Sequence, residues 1–213
     1  MAKARVKITV CGCGPGAPEY LTPAVLQAVE RAEVLAGAPR LLGLFPESKA
    51  ERIIIGADTE RALREIAGHS GRRIVVLVTG DSGLCSFAQP VLKRFGRQAC
   101  EVIPGISSVQ VAFARLGLDW LDARIISTHR ANPALNSQAL AGCEKFAVLL
   151  GRNDSLAWAA RLGAGLGGGY RIFVCENLTL KDERVRETTA ARLPRLKVAS
   201  LAVVLLVKKG LLA

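Results

Sequence analysis

The chain has 213 residues, half of them apolar, which is enough to bury the core of one large domain or of two small ones. It begins without the pattern of a signal peptide, and its longest apolar run, at positions 198–207, is too short to cross a bilayer, so we expect a cytoplasmic protein without membrane contact. The net charge of +11 is spread evenly along the chain, which argues against a dedicated nucleic-acid surface and is compatible with a small polyanionic substrate.

The first half of the sequence alternates strand and helix patterns. The predicted strands are 7–11, 34–36, 52–55, 74–79 and 100–103, and the predicted helices are 23–32, 39–44, 59–69, 87–95 and 108–116. The fourth strand is apolar without alternation, which is typical of a strand buried on both faces of a parallel sheet. This order predicts an α/β domain over residues 1–116, in which ligands bind at the carboxyl ends of the strands.

A second α/β domain is predicted over residues 117–213, after a linker at 117–122. Its predicted strands are 123–127, 146–150, 171–176, 184–189 and 201–207, and its predicted helices are 136–141 and 154–162. Because only a short loop separates two strands near the C-terminus, we expect a mixed sheet. The glycine-rich segment 163–169 follows a helix and precedes a strand, so it is interpreted as a flexible connection.

The six cysteines lie mostly in apolar, strand-like contexts, which is typical of reduced and buried thiols. Cys11 and Cys13 are the only close pair, no second pair stands at zinc spacing, and the chain has just two histidines. We therefore expect neither a bound metal nor redox chemistry at this pair.

Three loops that follow strands of the first half carry the residues suited to chemistry. They read Gly-Cys-Gly-Pro-Gly at 12–16, Gly-Asp-Ser-Gly-Leu at 80–84 and Pro-Gly-Ile-Ser-Ser at 104–108. Glycine at a strand end allows a ligand or another backbone segment to come close. Asp81 can accept hydrogen bonds from the ammonium or hydroxyl group of a ligand, whereas Ser107 and Ser108 can cap the next helix or bind a polar ligand.

Parts of these loops also suggest other activities. The first loop satisfies the dinucleotide fingerprint in its Gly/Ala form, but Pro15 and Pro18 separate its glycines from the first helix, and no acidic residue ends the second strand. A nicotinamide-dependent oxidoreductase is therefore the less favoured alternative. The second loop suggests a serine hydrolase, but no histidine follows His129 and the nucleophile-elbow pattern is absent. A nucleic-acid binder rests on net charge alone.

Taken together, the three loops resemble the tetrapyrrole methylase family, whose members carry these motifs in the same order and spacing. Ser-Thr-His-Arg at 127–130, and Glu-Asn-Leu at 176–178 followed by Asp182 and Glu183, are similar to the branch that methylates ring carbon C5 of a precorrin or cobalt-precorrin in cobalamin biosynthesis. A methylase of the same family acting on another ring position, or on another tetrapyrrole, is the alternative.

The resemblance implies two α/β domains with an active-site cleft between them, in which S-adenosyl-L-methionine is the methyl donor. The cofactor-binding residues implied by the motifs are Pro15, Gly80, Asp81, Leu84, Ser107, Ser108, Leu150 and Asn177. No catalytic base is assigned, because an enamine-like substrate supplies its own nucleophilic carbon. The implied partners are a polycarboxylate corrinoid substrate, a second copy in a homodimer, and a separate protein for C15 methylation and decarboxylation.

Overall fold

A computed structural model of the chain describes residues 7–134, 140 and 142–212. The chain divides into two compact units, Met1–Ser107 and Ser108–Ala213. The sequence predicts the boundary after the fifth helix, whereas the structure divides before it. The reason is that this helix packs against the last strand of the second unit.

The first unit contains a five-stranded sheet of order β3-β2-β4-β1-β5, in which every pair of strands is parallel. Its strands are β1 (Lys7–Gly12), β2 (Val34–Gly37), β3 (Glu51–Ile54), β4 (Arg73–Val78) and β5 (Cys100–Ile103), and its helices are α1 (Pro23–Glu30), α2 (Pro39–Leu42), α3 (Thr59–Gly68) and α4 (Ala88–Phe95). The last five residues of β4 are all buried. The parallel sheet predicted from this unbroken apolar run is therefore confirmed.

Helices cover both faces of this sheet, and local signals set where they begin. The Thr22 hydroxyl accepts from the Val25 amide at 3.3 Å, and the Asp58 carboxylate accepts from the Arg61 amide at 2.9 Å, as expected for N-caps. Alternate residues of the strands join two separate clusters of buried side chains, one on each face of the sheet. The helices cover the faces of the sheet but not the ends of its strands. The loops that follow the carboxyl ends of the strands carry the candidate site.

The second unit contains a five-stranded sheet of order β6-β7-β10-β8-β9. Its strands are β6 (Arg124–Ser127), β7 (Lys145–Leu149), β8 (Tyr170–Glu176), β9 (Arg184–Thr188) and β10 (Ala202–Lys208), and its helices are α5 (Ser108–Arg115) and α6 (Ser155–Gly165). The β6–β7 pair is parallel and the other pairs are antiparallel, which confirms the expected mixed sheet. The carboxyl ends of β6, β7 and β8 consequently lie at one edge of the sheet, beside the amino ends of β9 and β10.

The segment expected as a flexible connection at 163–169 is instead ordered, and that interpretation was wrong. Helix α6 continues to Gly165, and Gly167–Gly169 form a 3-10 turn. A Cβ at Gly163 would lie 2.8 Å from the Ile172 side chain, so the glycine lets the helix pack closely on β8. The predicted helix at 136–141 falls largely outside the described residues. Among the residues that are described, no helix is long and apolar enough to cross a membrane.

Candidate functional site

Three loops of the first unit meet at the carboxyl ends of β4, β1 and β5. Gly14 and Gly80 form an antiparallel bridge, in which the Gly80 amide donates to the Gly14 carbonyl at 2.8 Å. The Cys13 amide donates to the Val78 carbonyl at the same distance. The first and second loops are therefore joined through their backbones.

The third loop approaches so closely that it leaves no room for a side chain. A Cβ added at Gly105 would lie 2.3 Å from the Gly12 carbonyl oxygen and 2.5 Å from the Gly80 carbonyl oxygen. A Cβ added at Gly12 would lie 2.6 Å from the Gly105 amide nitrogen. Glycine at these two positions allows three backbone segments to touch, rather than leaving an open cradle for a ligand.

The Asp81 carboxylate joins the second loop to the third. Its Oδ1 accepts from the Gly83 amide at 2.8 Å, and its Oδ2 accepts from the Gly105 amide at 3.1 Å. An ionised carboxylate offers about four acceptor positions, so each oxygen keeps capacity for one further donor. Asp81 thus holds the loops together and remains able to accept a hydrogen bond from a ligand.

Ser82 provides another link between these loops. Its hydroxyl donates to the Ile103 carbonyl at 3.2 Å, and the residue is 2% exposed. A nucleophilic serine needs an accessible hydroxyl held by a base. This geometry gives Ser82 a structural role and does not support a serine hydrolase.

Arg40 lies at the same edge of the first sheet, although no motif marks it in the sequence. It belongs to the first turn of α2, just after the carboxyl end of β2, and its guanidinium donates to the Thr79 hydroxyl. Burial lowers the pKa of Arg40 from its usual value, yet the group stays charged at neutral pH. A guanidinium here suits the recognition of carboxylate groups.

Five of the eight residues implied by the motifs lie in these loops of the first unit. Pro15 and Gly80 are buried, Asp81 and Leu84 are half-buried, and Ser107 is 6% exposed. The structure therefore brings these five residues to the carboxyl edge of one sheet. The other three are Ser108, Leu150 and Asn177, and they belong to the second unit.

Leu150 and Asn177 lie at the same edge of the second sheet, because they follow β7 and β8, which run in the same direction. The Leu150 amide donates to the Ala202 carbonyl at 3.4 Å, and the Asn177 amide donates to the Leu201 carbonyl at 2.9 Å. Two strand ends are thereby attached to consecutive carbonyls at the start of β10.

A buried hydroxyl pair supports the turn that follows β7. Thr128 belongs to the Ser-Thr-His-Arg segment, whereas no motif in the sequence marks Ser155. The Thr128 hydroxyl lies 2.9 Å from the Leu149 carbonyl and 2.7 Å from the Ser155 hydroxyl, whose oxygen accepts from the amides of Gly151 at 3.4 Å and Arg152 at 3.0 Å. A hydroxyl has one hydrogen and a carbonyl has none to give, so Thr128 donates to Leu149 and Ser155 donates to Thr128. Every polar atom of this pair is satisfied away from water.

The imidazole of His129 packs against the same turn. A Cβ at Gly151 would lie 2.6 Å from the His129 ring, and the Ser127 hydroxyl lies 3.1 Å from the ring Nδ1. Although the residue is exposed as a whole, partial desolvation of the ring lowers the pKa of His129 from its usual value of 6.5, so the neutral form predominates at pH 7. A neutral imidazole beside a hydroxyl can accept or relay a proton, but it does not act as a fixed positive charge.

The buried cysteines near the first loop are chemically quiet. Burial raises the pKa values of Cys11 and Cys13 to about 12, which leaves both as thiols at neutral pH. Within the residues that the structure describes, no group of three or more histidine, cysteine or carboxylate side chains is placed to hold a metal ion.

Comparison with known proteins points to one family. The family model of Tetrapyrrole (Corrin/Porphyrin) Methylases matches residues 7–194. The chain is 35% identical to the cobalt-precorrin-7 C(5)-methyltransferase of Salmonella typhimurium, over 84% of this chain and 88% of that relative. It is 28% identical to the decarboxylating precorrin-6Y C(5,15)-methyltransferase of Mycobacterium tuberculosis, over 86% of this chain but only 46% of that relative.

Solved structures share the fold. The uroporphyrin-III C-methyl transferase of Thermus thermophilus, complexed with S-adenyl homocysteine, superposes with a TM-score of 0.77 at 20% identity, over 94% of this chain and 96% of that one. The family model spans nearly all of the described residues, and the three loops that carry its motifs meet at the edge of one sheet. The chain therefore belongs to the tetrapyrrole methylase family.

Proposed function

We propose that the chain transfers a methyl group from S-adenosyl-L-methionine to ring carbon C5 of a cobalt-precorrin-7-like corrinoid. The similarity to the Salmonella typhimurium cobalt-precorrin-7 C(5)-methyltransferase, which extends over most of both chains, carries this proposal. The evenly distributed net charge of +11 also suits a substrate with many carboxylates.

The residues at the two sheet edges have the chemistry to bind this cofactor. Asp81 keeps acceptor capacity for an ammonium or a ribose hydroxyl, and Leu150 offers half-buried apolar surface for an adenine ring. The complex of the Thermus thermophilus relative with S-adenyl homocysteine supports the same cofactor class. The contacts that we propose are Pro15, Gly80, Asp81, Leu84, Ser107, Ser108, Leu150 and Asn177.

The task of the chain in this reaction is to orient the reactants and to exclude water. The bound cofactor supplies a methyl group activated by a sulfonium. Hydrogen bonds between the loops of the first unit hold Asp81 in one position, and rigid placement of this kind lowers the entropic cost of reaching the reactive geometry. Displacement of water protects the sulfonium and favours attack by the substrate carbon. No charged base is required, which agrees with a neutral imidazole at His129.

We further propose that a separate protein performs methylation and decarboxylation at C15. The Salmonella typhimurium relative, matched over 88% of that relative, is named for C(5) methylation alone, which supports this proposal. The family resemblance also suggests a homodimer, and sedimentation of the purified protein tests that assembly. The free thiols of Cys11, Cys13 and Cys175 agree with a reducing cytoplasm.

The test is to locate the transferred methyl group. Purified protein is incubated with cobalt-precorrin-7 and S-adenosylmethionine labelled with ¹³C in the methyl group, and the product is mapped by NMR. We expect the label on C5 and equimolar formation of S-adenosylhomocysteine. A label on another ring carbon would assign the chain to a different step. Calorimetry that detects no binding of S-adenosylhomocysteine would refute methyl transfer altogether.

A further inference from the structure

The connection between β8 and β9 has an unusual backbone. Asn177 and Thr179 adopt positive φ angles of 48° and 72°, a region that residues other than glycine rarely occupy. Thr179 is β-branched, for which this conformation is especially unfavourable. Contacts from the surrounding structure must therefore hold this turn.

The Glu183 carboxylate contacts the strained residue. Glu183 Oε2 accepts from the Thr179 amide at 2.5 Å, while both oxygens of Glu183 accept from the Arg115 guanidinium, at 2.5 Å and 3.0 Å. The Glu183 side chain is 22% exposed, and the bond from Arg115 lowers its pKa below the usual value of 4.5, so the carboxylate is charged at neutral pH. Bidentate pairing with arginine fixes its direction as well as its charge.

This carboxylate connects two elements that carry proposed cofactor contacts. Arg115 is the last residue of α5 and Ser108 is the first, so one short helix joins them. Asn177 stands two residues before Thr179, and its side-chain amide donates to the Asp182 carboxylate at 2.5 Å. Leu178, between the two residues of positive φ, is 4% exposed and anchors the turn in the core.

We propose that Glu183 is a positioning residue of the methyl-transfer site, whose carboxylate, held by Arg115, fixes the turn at Thr179 and so directs Asn177 towards the cofactor. This inference rests on the proposed function. It assigns Glu183 no contact with substrate or cofactor. It also gives a physical reason for an acidic residue at position 183, because the Glu183 carboxylate at the end of the loop accepts from the Thr179 amide near its start.

The turn provides its own rescue test. In Glu183→Gln the charge is lost and a side-chain NH2 group replaces one acceptor oxygen, so a donor faces a guanidinium N–H, the bidentate pair with Arg115 is broken and the bond to the Thr179 amide is weakened. We expect the Kd for S-adenosylhomocysteine and the KM for S-adenosylmethionine to rise about tenfold, while kcat at saturating cofactor stays within about twofold of the parent. In the double variant Glu183→Gln/Thr179→Gly, glycine adopts the positive φ without strain, so cofactor affinity should return to within about threefold of the parent.

Glu187→Gln is the matched control. Glu187 also forms a bidentate pair with an arginine, Arg171, at 2.9 Å and 2.8 Å, but its carboxylate holds no strained turn. The two single variants change the charge equally and each breaks one ion pair, so loss of affinity in both would show a general electrostatic effect and would overturn the proposal. Parental affinity in Glu183→Gln, or failure of Thr179→Gly to restore affinity, would overturn it too.

Amide hydrogen exchange separates this proposal from the proposed function. Exchange at the Thr179 amide should accelerate in Glu183→Gln and not in Glu187→Gln. If the parent chain binds no S-adenosylhomocysteine, the proposed function is wrong and the positioning role falls with it. If the parent binds and transfers a methyl group while Glu183→Gln behaves as the parent does, the positioning role alone is wrong.

Discussion

Replacing Gly105 by alanine tests the convergence of the three loops most directly. The new Cβ would lie 2.3 Å from the Gly12 carbonyl oxygen and 2.5 Å from that of Gly80, about 1 Å inside an ordinary contact. Both neighbours are backbone atoms at strand ends, so the clash is relieved only if two loops move apart. Overpacking of this kind costs about 1–3 kcal/mol. Movement would also weaken the bond from the Gly105 amide to the half-buried Asp81 carboxylate, and loss of a hydrogen bond to a charged group costs a similar amount.

We therefore expect Gly105→Ala to lower the free energy of unfolding by about 3 kcal/mol, a loss that a domain of ordinary stability survives. Urea titration followed by circular dichroism measures it, and calorimetry should show at least a tenfold loss of affinity for S-adenosylhomocysteine. Gly56→Ala is the matched control, because nothing lies within 4 Å of its added Cβ and its φ is not positive. If Gly105→Ala unfolds and binds as Gly56→Ala does, the three backbones do not meet as described.

Three further outcomes follow from the burial of particular groups. Thr128→Val takes away the acceptor of the Ser155 hydroxyl hydrogen and leaves the Leu149 carbonyl with the Thr128 amide as its donor, so the free energy of unfolding should fall by about 1–3 kcal/mol in urea titration. A parental value would contradict the hydrogen-bonded pair. Iodoacetamide at about pH 8 should label the exposed Cys85 but not Cys11 and Cys13, because burial raises the pKa values of these two thiols to about 12. Modified Cys11 or Cys13 peptides, found by mass spectrometry after labelling of the native protein, would contradict this expectation. Because the pKa of His129 is lower in the folded chain than its usual 6.5, the unfolded state binds more protons as the pH falls below 6.5. The stability contributed by the neutral His129 ring is therefore present above pH 6.5 and is lost as the pH falls. A titration midpoint at or above 6.5, measured by NMR on the folded protein, would refute this.

The secondary structure was largely predictable because its signals are local. The predicted fifth strand, 100–103, coincides with β5, and the second predicted helix of the first half, 39–44, exceeds α2 by two residues. Thr22 with Pro23, and Asp58, mark two helix starts through contacts that span three residues. The same reasoning failed at 163–169, where glycine content suggested flexibility, since close packing of α6 on β8 determines the conformation there.

The candidate site was predictable as a set of loops but not as a set of bonds. Because ligands bind at the carboxyl ends of parallel strands, the sequence predicts that the three loops lie at one edge of the sheet. It could not show that both oxygens of Asp81 accept from backbone amides, or that Ser82 bonds to a carbonyl 21 residues away. Those partners depend on how strands stack across the sheet.

The sequence by itself determined the alternation of strands and helices, the mixed and parallel sheets and the family, because these follow from short-range periodicity and from three motifs in a fixed order. Only the tertiary structure decided which groups are joined. Arg115 and Glu183 are 68 residues apart, and Thr128 and Ser155 are 27 residues apart. No local preference connects such pairs. Burial of the apolar sheet faces packs α5 and α6 onto the strands of the second unit, and this packing brings Arg115 to Glu183 and Ser155 to Thr128.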